Sequence, residues 1–194
     1  MTVDRILRRK HLLTSFLNSF ASHGLDKTSM RSLIIESGIS SSFIYEMFES
    51  RDQIVIDTIR FYYQSLIDEL ELMREDENLT FIDYINNVEN LAAKNIQYDR
   101  FVVQSVLHPV YRPKVIDLVE KLAENQKILS VELAKKEGIK SEYAITTLNY
   151  LHSALNAYTI MMNEELFHTQ IDRLRKFWQQ VQKGKEPKPT WQMQ

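Results

Sequence analysis

At 194 residues the chain can bury a sizeable core, and four Gly and four Pro leave little turn-forming material for an all-β fold. With no Cys there is no disulfide framework, thiolate zinc site or Cys nucleophile, and a net charge of −2 means that any hold on nucleic acid must come from local charge. No apolar run approaches the roughly 20 residues that span a bilayer, and MTVDRILRRKHLL is too interrupted by charge for a signal peptide, so a cytoplasmic protein without membrane contact is expected.

The first predicted helix covers Ile6 to Ser22, with apolar residues recurring at Ile6, Leu13, Phe16, Leu17 and Phe20. The next stretch, Gly24 to Arg51, reads as two short helices about a tight turn. Gly38 is the pivot, because a turn between helices needs a residue that accepts positive φ cheaply. Before it, Thr28 or Ser29 caps a helix with Met30, Leu33 and Ile34 on one face; after it, Ser40 or Ser41 caps a second, with Ile44, Tyr45 and Phe48 turned inward. Two helices joined by a short Gly-containing turn are the pattern that places a helix in the major groove of DNA.

Further along, Ser50-x-x-Gln53 forms a capping box that starts a helix at Arg51, running to about Met73 along Ile59, Tyr63, Leu66 and Leu70. The acidic EDEN at Glu75 to Asn78 breaks it. Thr80 caps the next helix, which carries Phe81, Ile85, Val88 and Ala92, and a separate shorter helix spans Asp99 to Leu107 before Pro109. Pro113 suits the first turn of another, which closes with Lys135 and Lys136 and with Gly138 just beyond. Two last helices are expected over Glu142 to Asn163 and Leu166 to Lys183, followed by a Pro/Lys-rich tail, GKEPKPTWQMQ, expected to be disordered.

The spaced set Gly24, Thr28, Ser29, then Leu33, Ile34, Ser37, Gly38, Ile39, Ser40, then Ile44, Tyr45, Phe48, Ser50, Arg51 resembles the N-terminal domain of the TetR (tetracycline-repressor) family of bacterial regulators. The resemblance is at motif level over roughly the first fifty-five residues; beyond them it extends only to length and helical organisation. It implies an all-α fold: a helix-turn-helix DNA-binding domain over 1–50, a helical effector-binding and dimerisation domain over 51–183, and the tail over 184–194.

By position in that motif, Thr28, Ser29 and Arg31 open the first helix of the pair, where the family meets phosphates and neighbouring bases. Ser40, Ser41, Ser42 and Phe43 form the leading turn of the recognition helix, with hydroxyls for phosphates or base edges and a ring for a thymine methyl. Tyr45 matches the family's near-constant tyrosine, and Arg51 stands where the family usually has Lys, as a phosphate clamp. Arg5, Arg8, Arg9 and Lys10 add a basic arm. Ile34 and Phe16 depart from the family's small alanines and Ser42 from a frequent glycine. Glu46 and Glu49 add negative charge to the reading head, so that Asp4 to Asp52 holds seven Lys/Arg against six Asp/Glu. A carboxylate repels phosphate unless it accepts from a cytosine amino group, the role open to Glu46.

In the family the middle helices enclose an effector cavity. Tyr62, Tyr63, Asn87, Gln104, His108, Tyr111, His152, Asn156 and Tyr158 combine aromatic faces with polar tips and are the candidate lining here. The last two helices carry seams through Leu148, Leu151, Leu155 and Met162 and through Phe167, Ile171, Leu174 and Trp178, at spacings suited to shallow-angle packing. Such seams serve intrachain packing or a partner; the resemblance favours a four-helix interface between two copies, and a two-fold dimer reads a palindrome.

No GxGxxG, Walker loop, HExxH or Gly-x-Ser-x-Gly elbow is present, and the five His are dispersed, so neither catalysis nor a cofactor or metal is called for. The reading is a repressor that binds a palindromic double-stranded DNA operator as a homodimer and is released by a small apolar or aromatic effector. The alternative is a TetR-like helical dimer acting as a protein-interaction module or co-regulator, its acidic head binding DNA weakly or not at all.

Overall fold

The computed structural model describes residues 3–184, and among these there are eight helices and no strand. They are α1 (Val3–His23), α2 (Met30–Ser37), α3 (Ser41–Met47), α4 (Arg51–Glu75), α5 (Phe81–Leu107), α6 (Arg112–Lys136), α7 (Ser141–Met161) and α8 (Glu164–Gln182). The expected tail lies, from residue 185 on, outside the described residues.

Local chemistry sets most of the helix ends. Ser29 caps α2 by accepting from the Ser32 backbone, and the Ser32 hydroxyl returns a bond to the Ser29 backbone. Gly38 closes α2 in the left-handed region at φ 64°, where a side chain is strained. Ser50 Oγ accepts from the Gln53 amide, Thr80 and Asp83 form a reciprocal box at the start of α5, and Asn163 Oδ1 accepts from Leu166 N at the start of α8. The separate helix expected from Asp99 is absent: α5 runs unbroken for 27 residues. No Pro or Gly interrupts Ala93 to Arg100, and the apolar stripe continues through Ile96, Phe101 and Val102, so nothing there stops the helix.

The chain divides into two compact units, Met1–Leu66 with Gln97–Lys121, and Ile67–Ile96 with Leu122–Gln194. The division cuts through α4, α5 and α6, so the boundary expected between 50 and 51 falls inside the first unit. That unit is built on Leu12, Phe16, Leu17 and Phe20 of α1, with Leu33, Ile44, Phe48, Ile54, Ile59 and Phe101 all buried. Phe16 meets Phe48 edge-on at 5.6 Å and Phe20 stacks on Phe101 at 4.8 Å, geometries favoured by the ring quadrupole. Phe16, large where small residues are usual, is thus accommodated by an aromatic partner.

The second unit has its core on Phe81, Tyr84, Ile85 and Val88 of α5, Leu129 and Leu133 of α6, and the facing sides of α7 and α8. Trp178 stacks on Phe81 at 3.8 Å, and Tyr158 on Phe167 at 4.4 Å. Glu137 ties the unit together: its carboxylate accepts from the Phe81 amide at 2.6 Å, Trp178 Nε1 at 2.9 Å and Gln182 Nε2 at 2.8 Å.

Candidate nucleic-acid interface

The helix-turn-helix presents an apolar inside and a polar outside. Leu33, Ile44 and Phe48 are buried, while Ser29, Arg31, Ser40, Ser41, Ser42, Tyr45 and Glu46 are exposed. Tyr45, expected inward, is 58% exposed with its hydroxyl free to meet a surface. The α3 turn spaces Ile44 and Phe48 four apart toward the core, and the residue beside Ile44 must then point out. Ser40 is the cap residue of α3 but makes no side-chain cap bond; its hydroxyl lies 3.3 Å from that of Ser42. Thr28, by contrast, is buried at 1%, its hydroxyl donating to Gly24 O at 2.8 Å, so it shapes the loop and does not face outward.

The basic arm is partly neutralised by its own head. Arg5 pairs with Glu46 at 3.5 Å, Arg9 pairs with Asp57 at 2.7 Å while lying over the Phe48 ring, and Arg8 sits over the half-buried Phe43 ring. These contacts hold the start of α1 against α3 and α4, and they cover the Phe43 face expected to meet a thymine methyl. Lys10, Lys27 and Arg31 remain exposed at the surface of the unit.

Arg51 departs most from expectation. Instead of standing out as a phosphate clamp, its guanidinium turns inward over the Phe20 ring, 5.8 Å from the centroid. Nε donates to Thr28 O at 2.6 Å, Nη2 donates to Leu25 O, and Nη1 reaches the Tyr111 hydroxyl at 3.4 Å. Tyr111 donates in turn to Asp52 Oδ1 at 2.7 Å. Burial, then the bond to Asp52, pushes the Tyr111 phenol up, so it stays a protonated donor.

The nine effector candidates fall in both units, and neither unit holds them all. In the first, Tyr62 and Tyr63 are buried, Tyr111 is held as above, His108 stacks on Tyr111 at 4.7 Å, and Gln104 is exposed. In the second, His152 meets Gln126 at 2.8 Å, Asn156 is exposed, and Tyr158 is a core ring stacked on Phe167. Burial lowers the His152 pKa, favouring the neutral ring. Asn87 lines a cleft of about 390 Å³ with Glu69, Leu72, Met73, Asp76, Leu79, Asn90, Leu91 and Lys94.

No family model matches the chain, and no curated protein matches it. Solved structures do match. A TetR/AcrR family member superposes with a TM-score of 0.70 at 16% identity, over 88% of this chain and 97% of the other. A TetR transcription regulator from Haloarcula marismortui gives 0.65 at 11%, over 87% and 95%, and reduced NemR from E. coli gives 0.63 at 12%, again over 87% and 95%. The chain has the TetR-family fold.

Within this TetR fold the seams of the last two helices face inward. Leu148, Leu151, Phe167, Ile171, Leu174 and Trp178 are all buried in the core of the second unit, with Leu155 packed at its edge and only Met162 substantially exposed. The seam expected to join two copies is therefore used within one chain, because α7 and α8 pack on each other and on α5 and α6 first. What α7 and α8 leave outside is Ile145, Ile160, Met161, Met162 and Leu166.

Asp99 is a half-buried carboxylate that sequence reasoning does not single out. It lies on α5 with its Oδ1 accepting from Tyr62 at 2.6 Å; Tyr98, edge-on to Tyr62 at 5.9 Å, donates to Asn18 at 2.7 Å. Burial pushes the Asp99 carboxyl up to about 6, against the opposing pull of the Tyr62 bond. The signal in the sequence is slight: one carboxylate between Tyr98 and the apolar run from Phe101.

Proposed function

We propose that this chain is a DNA-binding transcriptional regulator, a repressor that reads a palindromic operator as a homodimer with α3 in the major groove. The observation that carries it is the α2–Gly38–α3 turn on a TetR fold, which buries Leu33, Ile44 and Phe48 and leaves Ser40, Ser41, Ser42 and Tyr45 facing outward. Exposed Lys10, Lys27 and Arg31 supply local positive charge. The Haloarcula marismortui relative, a transcription regulator, supports the same reading. Release by a small effector is in keeping with the cleft beside Asn87, whose volume lies in the range of small-molecule sites.

The test is selection of duplexes from a random pool by the full chain, followed by titration of the enriched duplex at increasing salt. Affinity is expected to fall steeply, with a log–log slope of about −0.9 per neutralised phosphate. Arg31→Ala should reduce that slope by about one unit per half-site. Tyr45→Phe should weaken binding roughly 3- to 10-fold, the worth of one hydrogen bond, and leave thermal stability unchanged. No enriched duplex, or binding indifferent to salt, would favour the protein-interaction reading, which the exposed Glu46 and Glu49 motivate.

For assembly we assign the outer face of α7 and α8, with Ile145, Ile160 and Leu166, as the surface between two copies. Sedimentation at micromolar concentration should show a dimer. Ile160→Glu should shift it toward monomer without loss of helix, since Ile160 is 71% exposed and takes no part in the core; a wild-type monomer would sink the assignment.

A further inference from the structure

Arg51 occupies a junction that no phosphate contact requires. It is the first residue of α4, and its three described bonds reach two other segments of the first unit. One side holds the carbonyls of Leu25 and Thr28, the loop that leads into the Ser29 cap of α2. The other meets the hydroxyl of Tyr111, in the turn between α5 and α6. Thr28 is itself tied back to Gly24 O, so the loop gripped by Arg51 is closed on both ends. Tyr111 is buried, braced by His108 against its ring and by Asp52 on its hydroxyl. Its oxygen thus donates to Asp52 and accepts from Arg51, and both roles need the phenol.

We propose that Arg51 and Tyr111 are positioning residues that fix the start of α2, and through it α3, relative to the turn between α5 and α6. This rests on the reading of the head as a DNA interface, and it replaces the phosphate clamp with an internal brace. The chemistry suits Arg alone: a planar fork reaches two carbonyls and a hydroxyl at once, whereas an ammonium is a point charge on a flexible stem. The turn it reads is also open to a ligand or partner, since Leu107 and Val110 on either side of His108 are exposed. Anything that displaces Tyr111 would loosen the grip on Thr28 and Leu25.

Two predictions separate a brace from a clamp. A clamp keeps most of its affinity in Arg51→Lys, which retains the charge, and is indifferent to Tyr111→Phe. A brace loses operator affinity in both, roughly 3- to 30-fold each, the range of coupling measured away from a ligand. Its salt slope is unchanged in both variants, and the double variant is no weaker than the stronger single one, as expected of residues acting through one contact. Hydrogen exchange on the free protein gives a readout that needs no DNA. Amides of Leu25 to Leu33 should exchange faster in Arg51→Lys and in Tyr111→Phe, while those of α7 and α8 keep the wild-type rate. Wild-type operator affinity in both Arg51→Lys and Tyr111→Phe, with unaltered exchange, would restore the clamp and overturn the brace. Unaltered exchange in both variants overturns it even if no operator is found, whereas absence of any operator with altered exchange counts against the DNA reading alone.

Discussion

Trp178→Ala is expected to lower the melting temperature by roughly 10 °C or more, unfolding the second unit instead of parting a dimer. Trp178 is fully buried on α8, stacked on Phe81, with its indole N–H donating to Glu137. Truncating a buried Trp or Phe to Ala costs about 3–5 kcal/mol through lost transfer energy and the cavity left behind. The Glu137 carboxylate also loses one of three donors, while its bonds to the Phe81 amide and Gln182 are left to hold it. At about 2–4 °C per kcal/mol for a chain of this size, the shift is large in a thermal melt followed by circular dichroism. Trp178→Phe should recover most of it, since it keeps the stack and loses only the indole donor. A variant that keeps its wild-type melt but sediments as a monomer would place Trp178 at an interface and remove it from the core.

Asp99→Asn is expected to stabilise the protein near neutral pH and to do so progressively less as the solution is made acid. The folded-state pKa is raised to about 6 from an ordinary value near 3.8, first by burial. The folded chain therefore holds a proton that the unfolded chain releases between about pH 4 and pH 6. Stability falls with rising pH across that window and stays low above it. A shift of this size corresponds to about 3 kcal/mol. Asn does not titrate and can still accept from the Tyr62 hydroxyl, so the substitution removes the ionisation cost and keeps the hydrogen bond. Tyr62 stays a donor throughout, because burial and then the Asp99 charge push its phenol far above the ordinary value. Denaturant melts at pH 4.5, 6 and 7.5 measure the difference. It should grow in favour of Asn by about 2–3 kcal/mol from the first to the last, and parallel profiles would show that the folded carboxyl titrates as it does in the unfolded chain.

Local chemistry makes the helix ends legible in the amino-acid sequence. Ser29, Gly38, Ser50, Thr80 and Gly138 act through bonds or dihedrals that reach no more than four residues, so their consequences can be worked out from neighbours in sequence. The helix-turn-helix follows from the same reach, because one left-handed glycine between two capped apolar stripes leaves the chain few other paths. The joining of two expected helices into α5 shows the limit of that reach: no stop signal separates them, and the apolar stripe runs on through the expected boundary.

Tertiary structure decided what covers each apolar stripe and where each charge turns. Spacing shows that Leu148, Leu151, Ile171 and Trp178 lie on apolar faces, but it is identical whether the cover is α5 of the same chain or α8 of another. Arg51 has the same local sequence whether it points to a phosphate or to Thr28, and only the arrival of Phe20, Leu25 and Tyr111 from distant parts of the chain fixes which. Asp99 is an ordinary surface carboxylate by sequence and a half-buried one with a raised pKa where Tyr62 meets it. The sequence by itself determined a helical fold with a helix-turn-helix near its start, because helix periods and caps are short-range properties. The roles of Arg51, Asp99 and the last two helices belonged to the tertiary structure, because burial and electrostatic partnership are set by groups far apart in the chain.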